Sequence, residues 1–149
     1  MRRANRHLAE KGRGALTNPG GRFEATRLEA ADDGWGVLEE LPRRPETQLL
    51  ADRPRRAITR NTSPDVPFEQ SINPYQGCEH GCIYCFARPS HSYWNLGPGL
   101  DFETRIFHKP GLAERLAEEL RSPGYVCQPI NLGANTDPYQ PAERECRTT

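Results

Sequence analysis

Residues 77–85, GCEHGCIYC, carry three of the five cysteines in the chain, Cys78, Cys82 and Cys85, in the pattern C-x-x-x-C-x-x-C. Thiolate is a soft ligand that suits iron–sulfur clusters or zinc. Glycine tolerates tight turns, so Gly77 and Gly81 allow a loop that points all three sulfurs inward. Clusters of the ferredoxin type take four cysteine ligands. Three local ligands therefore predict a [4Fe-4S] cluster with one iron left open to a small molecule.

A zinc site is the alternative interpretation of the same residues, with His80 or His91 added to the three cysteines. Zinc sites usually combine paired C-x-x-C or C-x-x-C and H-x-x-x-H spacings, and the sequence has neither. The spacing therefore favours the cluster. We expect Cys127 to be a buried apolar residue on a strand, and we expect Cys146 to be incidental.

The composition limits how much of the chain folds. The chain has 149 residues, and its apolar fraction of 35% lies below the roughly 45–50% of an ordinary domain. Apolar residues are sparse before Asp65 and denser after Val66. We therefore predict an extended or disordered arm over residues 1–65, mobile up to about residue 47, and a core domain with the cysteine loop over residues 66–149.

The charge and hydropathy patterns exclude several classes of protein. The net charge is +0, with 20 basic and 20 acidic residues, which gives no global indication of nucleic-acid or anionic-membrane binding. A short basic run contains Arg53, Arg55, Arg56 and Arg60, and the favoured interpretation is a solvated, extended segment rather than a phosphate site. There is no apolar run long enough to span a membrane and no secretory signal. An odd number of cysteines suits the reduced cytoplasm.

The order of predicted elements indicates an α/β class. A short strand is expected in residues 68–75, FEQSINPY, and a second around Ile106 and Phe107. Leu112, Leu116 and Leu120 recur every four residues and predict one helix with an apolar stripe, ended by Pro123-Gly124. Residues 125–132 are expected to form a buried strand, and a turn and a further helix near Pro141 should follow it.

Several of these segments together resemble a known superfamily. The cysteine pattern, with the aromatic Tyr84 before its last cysteine, resembles that of the radical S-adenosylmethionine (SAM) superfamily. Longer stretches resemble the branch related to spore photoproduct lyase, in an uncharacterised bacterial subgroup: SINPYQGCEHGCIYCFARPSH, FETRIFHKPG, GANTDPYQPAER, AITRNTSPDVPFEQ and GRGALTNPGGRFE. The resemblance covers most of the chain.

The resemblance implies a fold and a chemistry. The fold would be the N-terminal part of a partial (βα)₆ barrel of the TIM type, and the chain would be truncated before the barrel is complete. Cys78, Cys82 and Cys85 would hold the cluster, and SAM would be cleaved reductively to a 5′-deoxyadenosyl radical. Tyr84 would lie beside the adenine of SAM, and Asn135, Thr136 and Asp137 would be further SAM contacts.

The resemblance also sets expectations about partners and leaves the substrate open. An electron donor such as flavodoxin or ferredoxin is implied, in the cytoplasm and without a membrane. Lyase-like chemistry on a DNA lesion is known in the branch, but kinship of fold does not transfer the substrate. The competing interpretation is an iron–sulfur or zinc-binding module that does not cleave SAM.

Overall fold

The computed structural model describes residues 14–15, 17–20, 23 and 46–149. Within them, six short strands, one 3₁₀ helix and three α-helices follow one another along the chain. They are β1 (Gln48–Ala51), β2 (Thr59–Arg60), β3 (Gln70–Ile72), β4 (Tyr75–Gln76), the 3₁₀ helix (Arg88–Trp94), α1 (Leu100–Thr104), β5 (Arg105–His108), α2 (Leu112–Leu120), β6 (Ile130–Leu132) and α3 (Glu143–Cys146).

The strands form two small mixed sheets. In the first, β5 lies in the centre, parallel to β1 and antiparallel to β4. In the second, β3 lies in the centre, antiparallel to β2 and parallel to β6. The described residues are therefore mixed α/β and contain no closed barrel, so the partial (βα)₆ barrel stays a prediction.

Among the residues that the structure describes, buried apolar side chains form three separate clusters and not one large core. The first joins α2 to the second sheet through Ile58, Ile72 and Leu112. The second packs Tyr75 of β4 against Ile106 of β5. The third lies under the cysteine loop, where Cys78 contacts Ala87 and Phe102. The cysteine loop is thus held between the second and third clusters.

The predicted strand around Ile106 and the predicted helix are confirmed as β5 and α2. The apolar stripe of α2 is only partly buried, because Leu112 is 6% exposed and Leu120 is 41% exposed. Segment 68–75 contains two strands instead of one, β3 and β4. The predicted helix near Pro141 is α3, which begins at Glu143.

The prediction of a buried strand over residues 125–132 is wrong in extent, since β6 covers only Ile130–Leu132. Before β6, side-chain bonds replace the ladder in part: Gln70 Nε2 donates to the Val126 carbonyl at 3.2 Å, and the Tyr125 hydroxyl donates to Gln70 Oε1 at 3.1 Å. Pro129 has no amide hydrogen to offer a ladder. Cys127 is consequently exposed and outside any strand, which corrects its expected burial.

The predicted arm lies mostly outside the described residues. Of residues 46–65, the stretches that form β1 and β2 belong to the two sheets. Further towards the N-terminus, the ring of Phe23 lies 5.4 Å from the ring of Tyr93. No helix in the described part of the chain is long and apolar enough to cross a membrane.

We predict that Leu112→Ala lowers the free energy of unfolding by about 2–5 kcal/mol, because a buried leucine loses its contacts and leaves a cavity. Leu120→Ala on the same helix should cost less than about 1 kcal/mol, since its side chain is already partly in water. Urea denaturation followed by circular dichroism measures both. An equal loss of unfolding free energy in the two variants would contradict the observation that α2 packs mainly through Leu112 in its first turn.

Candidate metal centre

The cysteine loop follows β4 and turns at two glycines with positive φ. Gly77 has φ +81° and Gly81 has φ +64°, which is the region that glycine occupies without strain. A Cβ at Gly77 would lie 2.9 Å from the Phe102 carbonyl oxygen, the same oxygen that accepts the Cys78 amide at 2.9 Å. The loop therefore turns at both glycines as predicted, but in the described residues the three sulfurs do not converge on one point, so their inward arrangement stays a prediction.

The side chain of Gln140 bonds to both ends of the turn that carries Cys78. Its Nε2 donates to the Gly77 carbonyl at 3.1 Å, and its Oε1 accepts the Glu79 amide at 3.1 Å. Gln140 is 1% exposed. Because an unpaired buried amide would cost about 1–3 kcal/mol, this reciprocal pair fixes residues 77–79 against the segment after β6.

Arg88 holds the other end of the loop. Its Nε and Nη2 both donate to the Cys82 carbonyl, at 3.1 and 3.0 Å. Its Nη1 donates to the carbonyls of Pro98 and Gly99, and its Nη2 lies 2.5 Å from Glu103 Oε1. The planar guanidinium therefore joins the cysteine loop to the turn before α1 through a single side chain.

Glu103 completes this arrangement from α1. Its carboxylate is fully buried and also accepts the amides of Gly14 at 3.0 Å and Ala15 at 2.8 Å. A buried charge is tolerated when an opposite charge and further hydrogen bonds surround it. The segment around Gly14 is thus attached to the cysteine loop by the same carboxylate that pairs with Arg88.

The three cysteines differ in exposure, and none forms a disulfide. Cys78 is buried, Cys85 is half-buried and packs against the cluster beneath the loop, and Cys82 is exposed. Burial raises the pKa of the Cys78 thiol, while hydrogen bonds from the backbone amides of His80 and Asp137 act in the opposite direction. Backbone amides of this kind occur beside thiolate ligands of metal clusters, but here burial, together with the charge of Asp137, outweighs them and the pKa of Cys78 is raised.

The described residues do not bring three His, Cys, Asp or Glu side chains together in an arrangement that could hold a metal ion. The two histidines of the zinc alternative differ in exposure and in their bonding partners. His80 is half-exposed and its Nε2 lies 3.2 Å from Asp137 Oδ2. His91 is fully buried, and its Nε2 bonds to the Arg105 carbonyl at 2.9 Å.

The four residues predicted to contact SAM lie on the turn after β6 and on the cysteine loop. Asp137 lies next to the cysteine loop, through its amide near Cys78 and its carboxylate near His80. Thr136 is buried, and its hydroxyl donates to the Tyr75 carbonyl at 2.8 Å. Asn135 is bonded through its amide to Asn73 Oδ1, so its backbone holds the turn. Tyr84 lies on the cysteine loop itself and is 86% exposed.

Sequence reasoning missed Gln140, Arg88 and Glu103 as the residues that position the loop. Arg88 and Glu103 are 15 residues apart, and Gln140 bonds to groups 61 and 63 residues away. No local pattern reports pairs at such separations. The available signal was the position of Glu103 between Phe102 and the apolar pair Ile106 and Phe107, because a glutamate that is buried there needs a partner.

Comparison with known proteins gives relatives but no family. The chain is 49% identical over 78 residues to an uncharacterised protein of Mycobacterium bovis and to uncharacterised proteins of two strains of Mycobacterium tuberculosis. The match covers 52% of this chain and 23% of each relative, so the chain spans about a quarter of their length. No family model matches the sequence, and no solved structure matches the chain.

We predict that Gln140→Leu lowers the free energy of unfolding by about 1–3 kcal/mol for each backbone group of the turn that it leaves unpaired. Gln48→Leu is the matched control, because Gln48 is exposed on β1, and it should change stability by less than about 0.5 kcal/mol. Thermal denaturation of both variants makes the comparison. A loss at Gln140 no larger than that at Gln48 would show that the turn does not depend on this side chain.

Proposed function

We propose that this chain is the cluster-bearing part of a radical SAM protein. The observation that carries the proposal is the cysteine loop itself: three cysteines at C-x-x-x-C-x-x-C spacing on a turn built from two positive-φ glycines. The half-exposed and exposed thiols of Cys85 and Cys82 are accessible to an incoming metal, which would take them as thiolates.

In this proposal, Cys78, Cys82 and Cys85 hold three irons of a [4Fe-4S] cluster, and no fourth cysteine of the loop is available for the remaining iron. When bound, the cluster supplies the open iron that takes SAM and the electron for its reductive cleavage. The chain contributes position. Gln140 and Arg88 fix the loop backbone at its start and at Cys82, and the sequence keeps the three thiols within eight residues.

We place the SAM-binding site of this proposal at the turn after β6. Ligands of open α/β sheets bind beyond the carboxyl ends of the strands, and Asn135, Thr136 and Asp137 follow the carboxyl end of β6. Asp137 already contacts the cysteine loop through His80. Tyr84, exposed on that loop, is free to cover an adenine ring.

The proposed reaction after SAM cleavage is defined by its class and not by its substrate. We assign lyase-like radical chemistry with a donor such as flavodoxin or ferredoxin, in the cytoplasm, and leave the substrate, nucleic acid included, to experiment. The matched relatives are uncharacterised and about four times longer than the matched segment. The proposal therefore concerns the cluster-bearing part, and the activity of a longer protein that contains it is inferred from that part.

We predict that anaerobic reconstitution with iron and sulfide gives about four irons and four sulfides per chain. Cys82→Ala should abolish the cluster, because two thiolates hold it poorly, and the exposed position of Cys82 leaves the fold intact. Cys127→Ala, also at an exposed cysteine, is the matched control and should keep the full iron content. Iron and sulfide analysis decides, and stoichiometric zinc without sulfide would overturn the proposal in favour of a zinc module.

A SAM-binding experiment distinguishes a radical SAM protein from an iron–sulfur module that does not cleave SAM. We predict that SAM changes the electron paramagnetic resonance spectrum of the reduced, reconstituted chain, because SAM binds the open iron. Asp137→Ala should weaken this change while leaving the iron content unaltered, and Asp65→Ala, at an exposed site outside the turn, should not. If SAM leaves the spectrum of the cluster unchanged, the result would support an iron–sulfur module that does not bind SAM.

A further inference from the structure

An open groove of about 450 Å³ lies between the segment before β2 and helix α2. Its basic wall is formed by Arg55, Arg56, Arg60 and Arg115, and Ser122 and Tyr125 line the end beyond α2. None of the lining residues belongs to the cysteine loop or to the turn after β6. The groove is therefore a second feature of the molecule, and its chemistry is independent of the proposed function.

The wall that carries the arginines is fixed to the helix. Ala57 and Ile58 are buried in the cluster beneath α2. Their amides both donate to the carboxylate of Glu119 on α2, Ala57 at 2.5 Å and Ile58 at 3.1 Å. Arg60 follows in β2, where it pairs with Gln70 of β3. The backbone that presents the arginines is thus anchored on both sides before any ligand arrives.

The arginine charges of the groove are mostly uncompensated. Within the described part of the chain, no carboxylate lies within ion-pair distance of Arg55, Arg56 or Arg60. Arg115 pairs with Glu118 at 2.8 Å, and Glu119 is occupied by the two amides. Four arginines and two glutamates line the groove, which leaves an excess of two positive charges facing its open space.

We propose that this groove binds the phosphate monoester group of a small organic phosphate. A phosphate monoester carries about −1.5 to −2 charges at neutral pH, which matches the excess. The guanidinium fork of arginine fits phosphate oxygens in a two-point contact. A volume of about 450 Å³ lies within the range of small-molecule sites, about 300–1,000 Å³.

A small phosphate fits this site better than a nucleic acid does. Glu118 and Glu119 line the groove from α2, on the same helix as Arg115, and carboxylates in the path repel a continuous phosphate backbone. The chain as a whole has a net charge of +0, so no long-range field gathers polyanions. The ligand is thus defined by one terminal phosphate and by a body small enough to lie against Tyr125.

Calorimetric titration of the full chain with ribose 5-phosphate tests the proposal, with ribose and inorganic phosphate as separate arms. We expect saturable 1:1 binding of ribose 5-phosphate, weaker binding of inorganic phosphate and none of ribose. Arg60→Gln and the double variant Arg55→Gln/Arg56→Gln should each weaken binding about tenfold or more. Arg53→Gln is the matched control, because Arg53 belongs to the same basic run but does not line the groove, and it should leave the affinity unchanged.

Three results would overturn the proposal. One is no saturation by ribose 5-phosphate or by inorganic phosphate at millimolar concentration. A second is an equal loss in Arg53→Gln and Arg60→Gln, which would indicate diffuse charge attraction. The third is tighter binding of a twelve-nucleotide single-stranded DNA with a steep salt dependence, which would assign the arginines to a nucleic-acid backbone. Circular dichroism of each variant verifies that these exposed substitutions keep the fold.

Discussion

The buried ion pair between Arg88 and Glu103 is the interaction on which the surroundings of the cysteine loop depend. Removing two charges from water is costly, and their attraction compensates only when the remaining donors and acceptors are also satisfied. Here the backbone satisfies them, because Arg88 donates to three carbonyls that include Cys82, and Glu103 accepts two amides near Gly14. The pair thereby joins the cysteine loop, the turn before α1 and the N-terminal segment.

Polar contacts carry this part of the fold because apolar burial is divided among three small clusters. In the described residues of this chain, whose apolar fraction is 35%, no large core encloses the cysteine loop. Gln140 and Arg88 instead bond to the loop's own backbone, at its start and at Cys82. Fixing the backbone leaves the side chains of Cys82 and Tyr84 in solvent, where a ligand can reach them.

The sequence predicted the features that depend on local spacing and missed those that depend on distant pairs. Strand β5 and helix α2 have the periodicity of their class, and both glycine turns of the cysteine loop follow from residue type. Strand β6 begins only after Pro129, which has no amide hydrogen for a ladder, and Gln70, on a strand 60 residues earlier, bonds to the Val126 carbonyl before it. The same limit hid Gln140 and Glu103, whose partners only the folded chain brings near.

The protonation of Cys78 connects the fold of the loop to the groups it can bind. A metal takes the thiolate, so binding must release the proton that burial keeps on the sulfur, since burial raises the pKa of the Cys78 thiol. The amides of His80 and Asp137 oppose that effect, and Gln140 bonds to the same turn at Gly77 and Glu79. Any group held by the three cysteines in the folded chain alone would add its binding free energy to stability. Gln140 and Arg88 hold the loop backbone at residues 77–79 and at Cys82, and in the described structure the three thiols are not gathered around one point. The free energy needed to gather them would therefore offset part of that stabilisation.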